Sequence, residues 1–348
     1  MSEVTPPKIP PANTIGLSRP DYIGSASTLC TGCGHDSITN HIISALFQSG
    51  INPYDLAKMS GIGCSSKTPA YFSNKSFAFN SVHGRMPTVS TGAKLGNRQL
   101  KMIGISGDGD TASIGIGTFI HMLRRNLPIV YIIENNGVYG LTKGQFSATS
   151  EKGAKQKSGN INQFENIDLC TLALELGCNF VARSFSGDAK QLVPLIESAL
   201  QHNGSAVIDV ISPCVTFNNH EGSTKSYDMI KEHNLRLQEL GFIHSFEDIK
   251  VDYSEGELQE VTLPDGSTLT LKKLSQEEHD FKNRFSAIEL LNQYKHKNQL
   301  LTGLFYLNTE SQGLLDTLNL CEKPLAQLNE KEIRPTIESF EEILKNFI

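Results

Sequence analysis

The sequence predicts an α/β protein built on a mostly parallel sheet flanked by helices, and three observations carry that expectation. From Cys30 to about Ser212, glycine-rich turns alternate with short apolar or β-branched runs and with longer amphipathic runs. The clearest unit reads as strand, helix, strand: KMIGIS at 101 to 106 is a short apolar run, residues 112 to 125 have helical length and periodicity, and PIVYII at 128 to 133 is a second apolar run. At 348 residues the chain has room for roughly two domains of about 150 residues and can bury a core without disulfide staples.

Each further element follows from local chemistry. Residues 1 to 20 hold five of the 14 prolines; proline lacks an amide donor and fixes φ, so an extended arm is expected here, reaching to residue 29. That start has no basic segment leading into an apolar run, so it does not read as a secretion signal, and the protein is expected in the cytoplasm. Helices over 168 to 176 and 188 to 200 and a strand over 206 to 211 continue the alternation, giving a site-bearing domain of residues 30 to 220. Beyond Pro213 the apolar runs thin and charge rises. In this extension, residues 221 to 348, the run from 258 to 271 reads as a hairpin about Pro264, Asp265 and Gly266. Ser275 with Glu278 three residues on is a capping-box pattern for a following helix, and residues 333 to 348 have the pattern of a terminal amphipathic helix.

Composition narrows the function. With 31 Lys+Arg against 37 Asp+Glu the net charge is −6, which argues against a broad nucleic-acid or membrane surface. No apolar run approaches the ~20 residues a membrane helix needs. Seven cysteines, an odd number that includes a C-x-x-C pair, suit a reducing compartment in which thiols bind metal or do redox chemistry.

The run 101 to 106 leads directly into Gly107-Asp108-Gly109-Asp110, which puts Asp108 at the carboxyl end of a strand, where open α/β sheets bind ligands. Glycines on both sides let the backbone approach a bulky anion, and free amides at the start of a helix favour phosphate. The next strand ends in Asn135-Asn136-Gly137-Val138, and 25 residues (110 to 134) lie between Gly109 and Asn135. That is the length of one helix plus one strand, so the two turns are expected side by side. A carboxylate from Asp108, an amide oxygen from Asn136 and the carbonyl of Val138 make three hard oxygen ligands, suited to Mg²⁺ completed by phosphate oxygens. The spacing resembles the GDG…NN signature of thiamine-diphosphate enzymes. The chain has no GxxxxGK[ST] loop, and Gly115-Ile116-Gly117 lacks the third spaced glycine of a dinucleotide fingerprint.

Four cysteines stand apart. Cys30 and Cys33 flank Thr31-Gly32, Cys64 sits in GIGCSSK, and Cys214 follows a strand and Pro213. Four thiolates suit a zinc ion or a 4Fe-4S cluster, and spacing alone does not choose between them. Haem attachment is excluded, because Gly34 follows Cys33 and His35 comes one place late. Cys170, Cys178 and Cys321 lie in apolar or helical stretches and are expected to be packing thiols.

Taken together, CTGCG at 30 to 34, GIGCSSK at 61 to 67, HGR at 83 to 85, GDGD at 107 to 110, NNGVYGLTKGQ at 135 to 145 and Cys214 resemble the β subunits of the 2-oxoacid:ferredoxin oxidoreductases, more narrowly the 2-oxoglutarate type. The resemblance runs from about Leu29 to Asn219 and weakens from Tyr227. It implies a thiamine-diphosphate-binding fold with a C-terminal extension, and a 4Fe-4S cluster on Cys30, Cys33, Cys64 and Cys214. It implies Mg²⁺ on Asp108, Asn136 and Val138, and thiamine diphosphate lined by Ile62, Gly63, Cys64, Ser65, His83, Gly109, Asp110, Gly140 and Leu141. Lys67, His83, Leu141 and Lys143 would contact the 2-oxoacid, a lysine pairing with the distal carboxylate of 2-oxoglutarate. The carboxylate that activates thiamine would come from an α subunit, with two αβ pairs as the expected assembly. Coenzyme A and ferredoxin would be the acyl and electron acceptors.

Overall fold

In the computed structural model the described residues are 11–156, 159–215, 249–263, 268–275, 277–297 and 299–347. The elements of the first part are β1 (Leu56–Ser60), β2 (Phe77–Asn80), β3 (Lys101–Gly107), β4 (Ile129–Asn135), the short pair β5 (Val138–Tyr139) and β6 (Gln145–Phe146), β7 (Phe180–Phe185) and β8 (Ser205–Ile211). Helices α1 (Gly34–Gln48), α2 (Thr68–Tyr71), α3 (Met86–Gly96), α4 (Ile116–Arg124), α5 (Leu169–Glu175) and α6 (Ala189–Gln201) lie between them. The extension contributes β9 (Leu258–Thr262), β10 (Thr268–Lys273), α7 (Arg284–His296) and β11 (Leu300–Leu307). Nine strands form one sheet in the order β2-β1-β3-β4-β8-β7-β11-β10-β9. All pairs from β2 to β7 are parallel; β11 runs antiparallel to β7 and β9 antiparallel to β10.

A parallel sheet must be covered on both faces, so its strands read as continuous apolar runs rather than alternating ones. In β4, Ile129, Tyr131 and Ile133 enter one core with Phe119, Met122 and Leu174. Val130 and Ile132 enter the opposite core with Ile38 and Ile42 of α1 and Leu192 and Ile196 of α6. The period of two along a strand thus feeds two cores from one run. No helix among the described residues is long and apolar enough to cross a membrane.

Several boundaries moved for identifiable reasons. The helix expected over 112 to 125 is split: Asp110–Ile114 form a π turn, and α4 begins only at Ile116. The Gly115 amide bonds Asp110 O at 2.8 Å, closing the wider turn. A Cβ at Gly115 would lie 2.6 Å from Asp110 O and 2.8 Å from the Gly84 Cα, so two loops meet there at glycine contact distance. The capping box at Ser275 starts no helix. Lys272 Nζ holds Glu278 Oε1 at 3.0 Å, and α7 begins at Arg284 with Asn283 accepting from the Ser286 amide at 3.1 Å. The terminal helix spans Ile337–Lys345, because Pro335 keeps Arg334 extended. The hairpin of β9 and β10 is present, while its turn at Pro264, Asp265 and Gly266 lies outside the described residues.

The N-terminal arm is described from residue 11. It is a turn rather than a straight segment: Asn13 Oδ1 accepts from Leu17 N at 2.9 Å, and Arg19–Tyr22 form a 3₁₀ turn. The fully buried Tyr22 side chain donates to Ile51 O at 2.8 Å.

Gly115→Ala should cost ~1–3 kcal/mol, since neither backbone contact can yield without shifting a loop. Urea unfolding measures it, and a variant as stable as the parent would contradict the close approach.

Candidate functional site

Strands β1, β3, β4 and β8 are neighbours in the sheet and parallel. Their carboxyl ends therefore lie along one edge, and so do the loops that follow: Gly61–Lys67, Gly107–Asp110, Asn135–Val138 and Ser212–Cys214. The expected adjacency of the GDGD and NNGV turns holds. Asp108, 2% exposed, accepts from the Asn136 amide through Oδ1 at 3.3 Å. Its Oδ2 accepts from Thr149 Oγ1 at 2.6 Å and from the Ser147 hydroxyl. The Tyr139 hydroxyl donates to Gly109 O at 3.0 Å, crossing from one turn to the other. Burial pushes the Asp108 carboxyl above the ordinary carboxylate range, while the Ser147 and Thr149 hydroxyls and the Asn136 amide pull it back. A neighbouring cation would complete that balance.

Asp110 faces elsewhere. Its Oδ1 accepts from the Gly84 amide at 2.8 Å and its Oδ2 from Ser106 Oγ at 3.0 Å, so it ties the loop bearing His83 to the end of β3. The Asn136 side chain turns back, its Oδ1 accepting from the Val138 amide at 3.1 Å. Ser65 is buried, and its hydroxyl makes no hydrogen bond among the described residues. A Cβ on Gly107 would stand 3.2 Å from that hydroxyl. A buried donor without a partner beside two glycine turns is what a phosphate oxygen would satisfy.

The thiols border the same space. Cys30 O accepts from Cys33 N at 3.0 Å, with Gly32 at φ +77°, so the C-x-x-C segment is a tight turn leading into α1. A Cβ placed on Gly140 would lie 3.4 Å from Cys64 Sγ, 3.9 Å from Cys214 Sγ and 4.0 Å from Asn136 Nδ2. This one point touches two of the cysteine loops and the asparagine turn. Burial raises the Cys64 thiol, and the charges of Cys214 and Cys30 add to the rise; burial likewise raises Cys33, with Cys214 among its neighbours. Metal binding at these thiols would require their thiolate forms and would release protons. No group of three or more His, Cys, Asp or Glu side chains among the described residues stands in that geometry.

Of the residues expected at the substrate, Lys67 donates from Nζ to Thr28 O at 3.2 Å, Leu141 is exposed, and Lys143 sits in the left-handed region at φ +79°. Cys170 and Cys178 are buried packing thiols as expected, but Cys321 is exposed: its segment has no core above it.

Sequence reasoning missed the buried polar groups beneath this edge. Arg183 bridges Asp209 (Nε, 2.9 Å) and Asp168 (Nη2, 2.8 Å), and Asn135 Nδ2 donates to Asp209 Oδ1 at 3.0 Å. Thr149 Oγ1 is 3.2 Å from Asn135 Oδ1, so the Asn135 that precedes the site is anchored to a buried ion triad. Glu134, fully buried, directly follows the apolar run 128 to 133; a lone acid closing such a run is the available signal.

A family profile described as the thiamine pyrophosphate enzyme C-terminal TPP binding domain matches residues 61–210. The chain is 43% identical over 192 residues to the 2-oxoacid:ferredoxin oxidoreductase subunit beta of a Sulfolobus species, covering 54% of this chain and 62% of that one. It is 38% identical over 204 residues to the 2-oxoglutarate synthase subunit KorB of Methanocaldococcus jannaschii, covering 58% of this chain and 75% of that one. It spans 60 to 65% of the length of the first curated relatives. Among solved structures, a 2-oxoglutarate:ferredoxin oxidoreductase from Magnetococcus marinus with 2-oxoglutarate, coenzyme A and succinyl-CoA bound superposes with a TM-score of 0.70 at 26% identity. That match covers 94% of this chain and 96% of the other.

Replacing Arg183 by Leu should destabilise the protein by ~3–5 kcal/mol, because it strands the buried Asp209 carboxylate and the partly buried Asp168 beside it. Chemical unfolding measures the change; a loss below about 1 kcal/mol, the scale of an exposed pair, would show that the triad is not held as a buried unit.

Proposed function

We infer the function from one premise: this chain belongs to the β subunits of the 2-oxoacid:ferredoxin oxidoreductases. Its thiamine-diphosphate-binding domain is the half of an active site that holds the cofactor's diphosphate. The reaction is CoA-dependent oxidative decarboxylation of 2-oxoglutarate to succinyl-CoA and CO₂, with electrons leaving through a 4Fe-4S cluster to ferredoxin. The chain acts with an α subunit, in two αβ pairs, in the cytoplasm. Residues 30–220 form the cofactor domain, between the arm at 1–29 and the extension at 221–348.

When bound, thiamine diphosphate supplies the carbanion and electron sink for decarboxylation, and the cluster takes up single electrons. The chain's own residues supply positions and charges. Asp108, the Asn136 amide oxygen and the Val138 carbonyl hold Mg²⁺ against the diphosphate, a hard-oxygen donor set. The Ser65 hydroxyl and the residues from Ile62 to Cys64 would line the diphosphate with Gly109, and Asp110, by tethering Gly84, would hold the neighbouring His83 at the same site. Gly140 and Leu141 close the wall between the cofactor and the thiols. Cys30, Cys33, Cys64 and Cys214 bind the cluster, so Cys64 belongs to both sites and shortens the path for electrons. Lys67 and Lys143 offer ammonium groups to the distal carboxylate of the substrate.

What supports this reading above all is the meeting at Gly140, where two cysteine loops and the Asn136 turn come within contact distance. The test is anaerobic purification of the chain with its α partner, followed by iron, sulfide and thiamine diphosphate analysis of one sample and by viologen reduction with CoA and either 2-oxoglutarate or pyruvate. Bound cluster and cofactor with 2-oxoglutarate turnover are expected. Cofactor without iron, or turnover of pyruvate alone, would overturn the cluster or the substrate assignment respectively.

Asp108→Ala should abolish Mg²⁺-dependent retention of thiamine diphosphate while leaving iron content unchanged, as read by cofactor analysis after gel filtration. Lys67→Met should raise KM for 2-oxoglutarate ~10-fold or more, the scale of a lost hydrogen bond to a charged group. An unchanged KM would remove Lys67 from the carboxylate site.

A further inference from the structure

Beneath the thiols, a buried run of four polar side chains connects three separate loops. Thr68, four residues beyond Cys64, donates its hydroxyl to the carboxyl of Glu134, at 2.9 Å from Oε1 and 3.1 Å from Oε2. Glu134 Oε2 lies 3.7 Å from Nε2 of His35, two residues beyond Cys33. His35 Nδ1 is 2.7 Å from Oγ of Ser212, two residues before Cys214. All four side chains are buried. Gly34 makes the close approach possible: a Cβ there would fall 2.5 Å from Ser186 Oγ and 2.6 Å from Ser212 Oγ.

Folding alone does not explain the acid. Along β4, Val130 and Ile132 fill the core on the α1 face, and Glu134 follows them at the same period of two. A third aliphatic side chain would cover α1 without the several kcal/mol that desolvating a carboxyl costs. Apolar packing, however, is non-directional and leaves loops free to slide, whereas the Thr68–Glu134 and His35–Ser212 hydrogen bonds fix distance and angle, with Glu134 and His35 facing each other at 3.7 Å between them. The run touches the loop of Cys64 at Thr68, the loop of Cys33 at His35 and the loop of Cys214 at Ser212, which come together only through the tertiary fold.

We propose that Glu134 and His35 are positioning residues of the cysteine site, setting the mutual spacing of the Cys33, Cys64 and Cys214 loops and, through it, the geometry and reduction potential of the cluster those thiols hold. This rests on the reading of the site as a 4Fe-4S centre. Neither residue is a ligand; each acts through the loop it fixes, as partners behind metal ligands do elsewhere.

The experiment uses the αβ complex purified anaerobically, as wild type, Glu134→Leu, Glu134→Gln and Thr68→Val. Each sample is read by iron and sulfide content, EPR of the reduced cluster, redox titration and the rate of iron loss to a chelator. Wild type and Glu134→Gln, whose amide keeps an acceptor for Thr68 and a polar group of the same size facing His35, should match in all four. Glu134→Leu and Thr68→Val should lose iron ~10-fold faster or more, the scale of lost support behind a metal ligand, and show a displaced potential with altered EPR. Thr68→Val is nearly isosteric and keeps the test decisive if Glu134→Leu fails to fold. The proposal is overturned if folded Thr68→Val or Glu134→Leu matches wild type, or if Glu134→Gln fails as Glu134→Leu does. Wild type lacking iron and sulfide would instead overturn the cluster reading itself.

Discussion

Parallel pairing is the constraint on which the rest of the molecule depends. Strands that run the same way must end at the same edge, so β1, β3, β4 and β8 deliver four loops to one line a few strands wide. The crossover helices that parallel strands require close both faces with apolar cores, which gathers many of the polar groups in the loops at the strand ends. A ligand that needs a carboxylate, backbone amides and thiols at once finds them there because the strand ends bring those loops together.

That concentration has an electrostatic consequence. Asp108, Asp110 and Glu134 are all buried at or beneath this edge, and burial raises every one of them above the ordinary carboxylate range. Each is moderated by local donors: Ser147 and Thr149 on Asp108, Gly84 and Ser106 on Asp110, Thr68 on Glu134. Asp110 and Glu134 spend their acceptors on joining loops. Asp108 faces the glycine turns, and a divalent cation shared with a diphosphate would turn its burial from a cost into an attraction. The same buried-acid chemistry thus joins loops in two places and, in the proposed function, would hold a cation in one.

The extension adds to this frame without changing it. Strand β11 continues the sheet beyond β7 in the antiparallel sense, and the hairpin of β9 and β10 completes that edge. Its polar anchors, such as Lys273 on Asp188 at 2.6 Å and His279 on Phe305 O at 2.6 Å, bind it to the sheet.

Periodicity and local motifs were enough to read the central strand–helix–strand unit, the strand ends at Asp108 and Asn136 and the helices that start at Asp168 and Asp188, because each depends on residues close in the chain. Where a distant group intervened, the sequence misled: the Gly84 loop pressed on Gly115 and split α4. At Ser275 the amide still donates to Glu278, which Lys272 also holds, yet the helix begins only at Arg284. Glu134, Thr149 and Arg183 carried no legible role, since their partners lie 14 to 99 residues away at His35, Thr68, Asp108, Asn135, Asp168 and Asp209. The chemical inventory of the site was therefore written in the sequence. Which groups face one another was decided by strand order, a global outcome of burying two apolar faces that no local run of residues encodes.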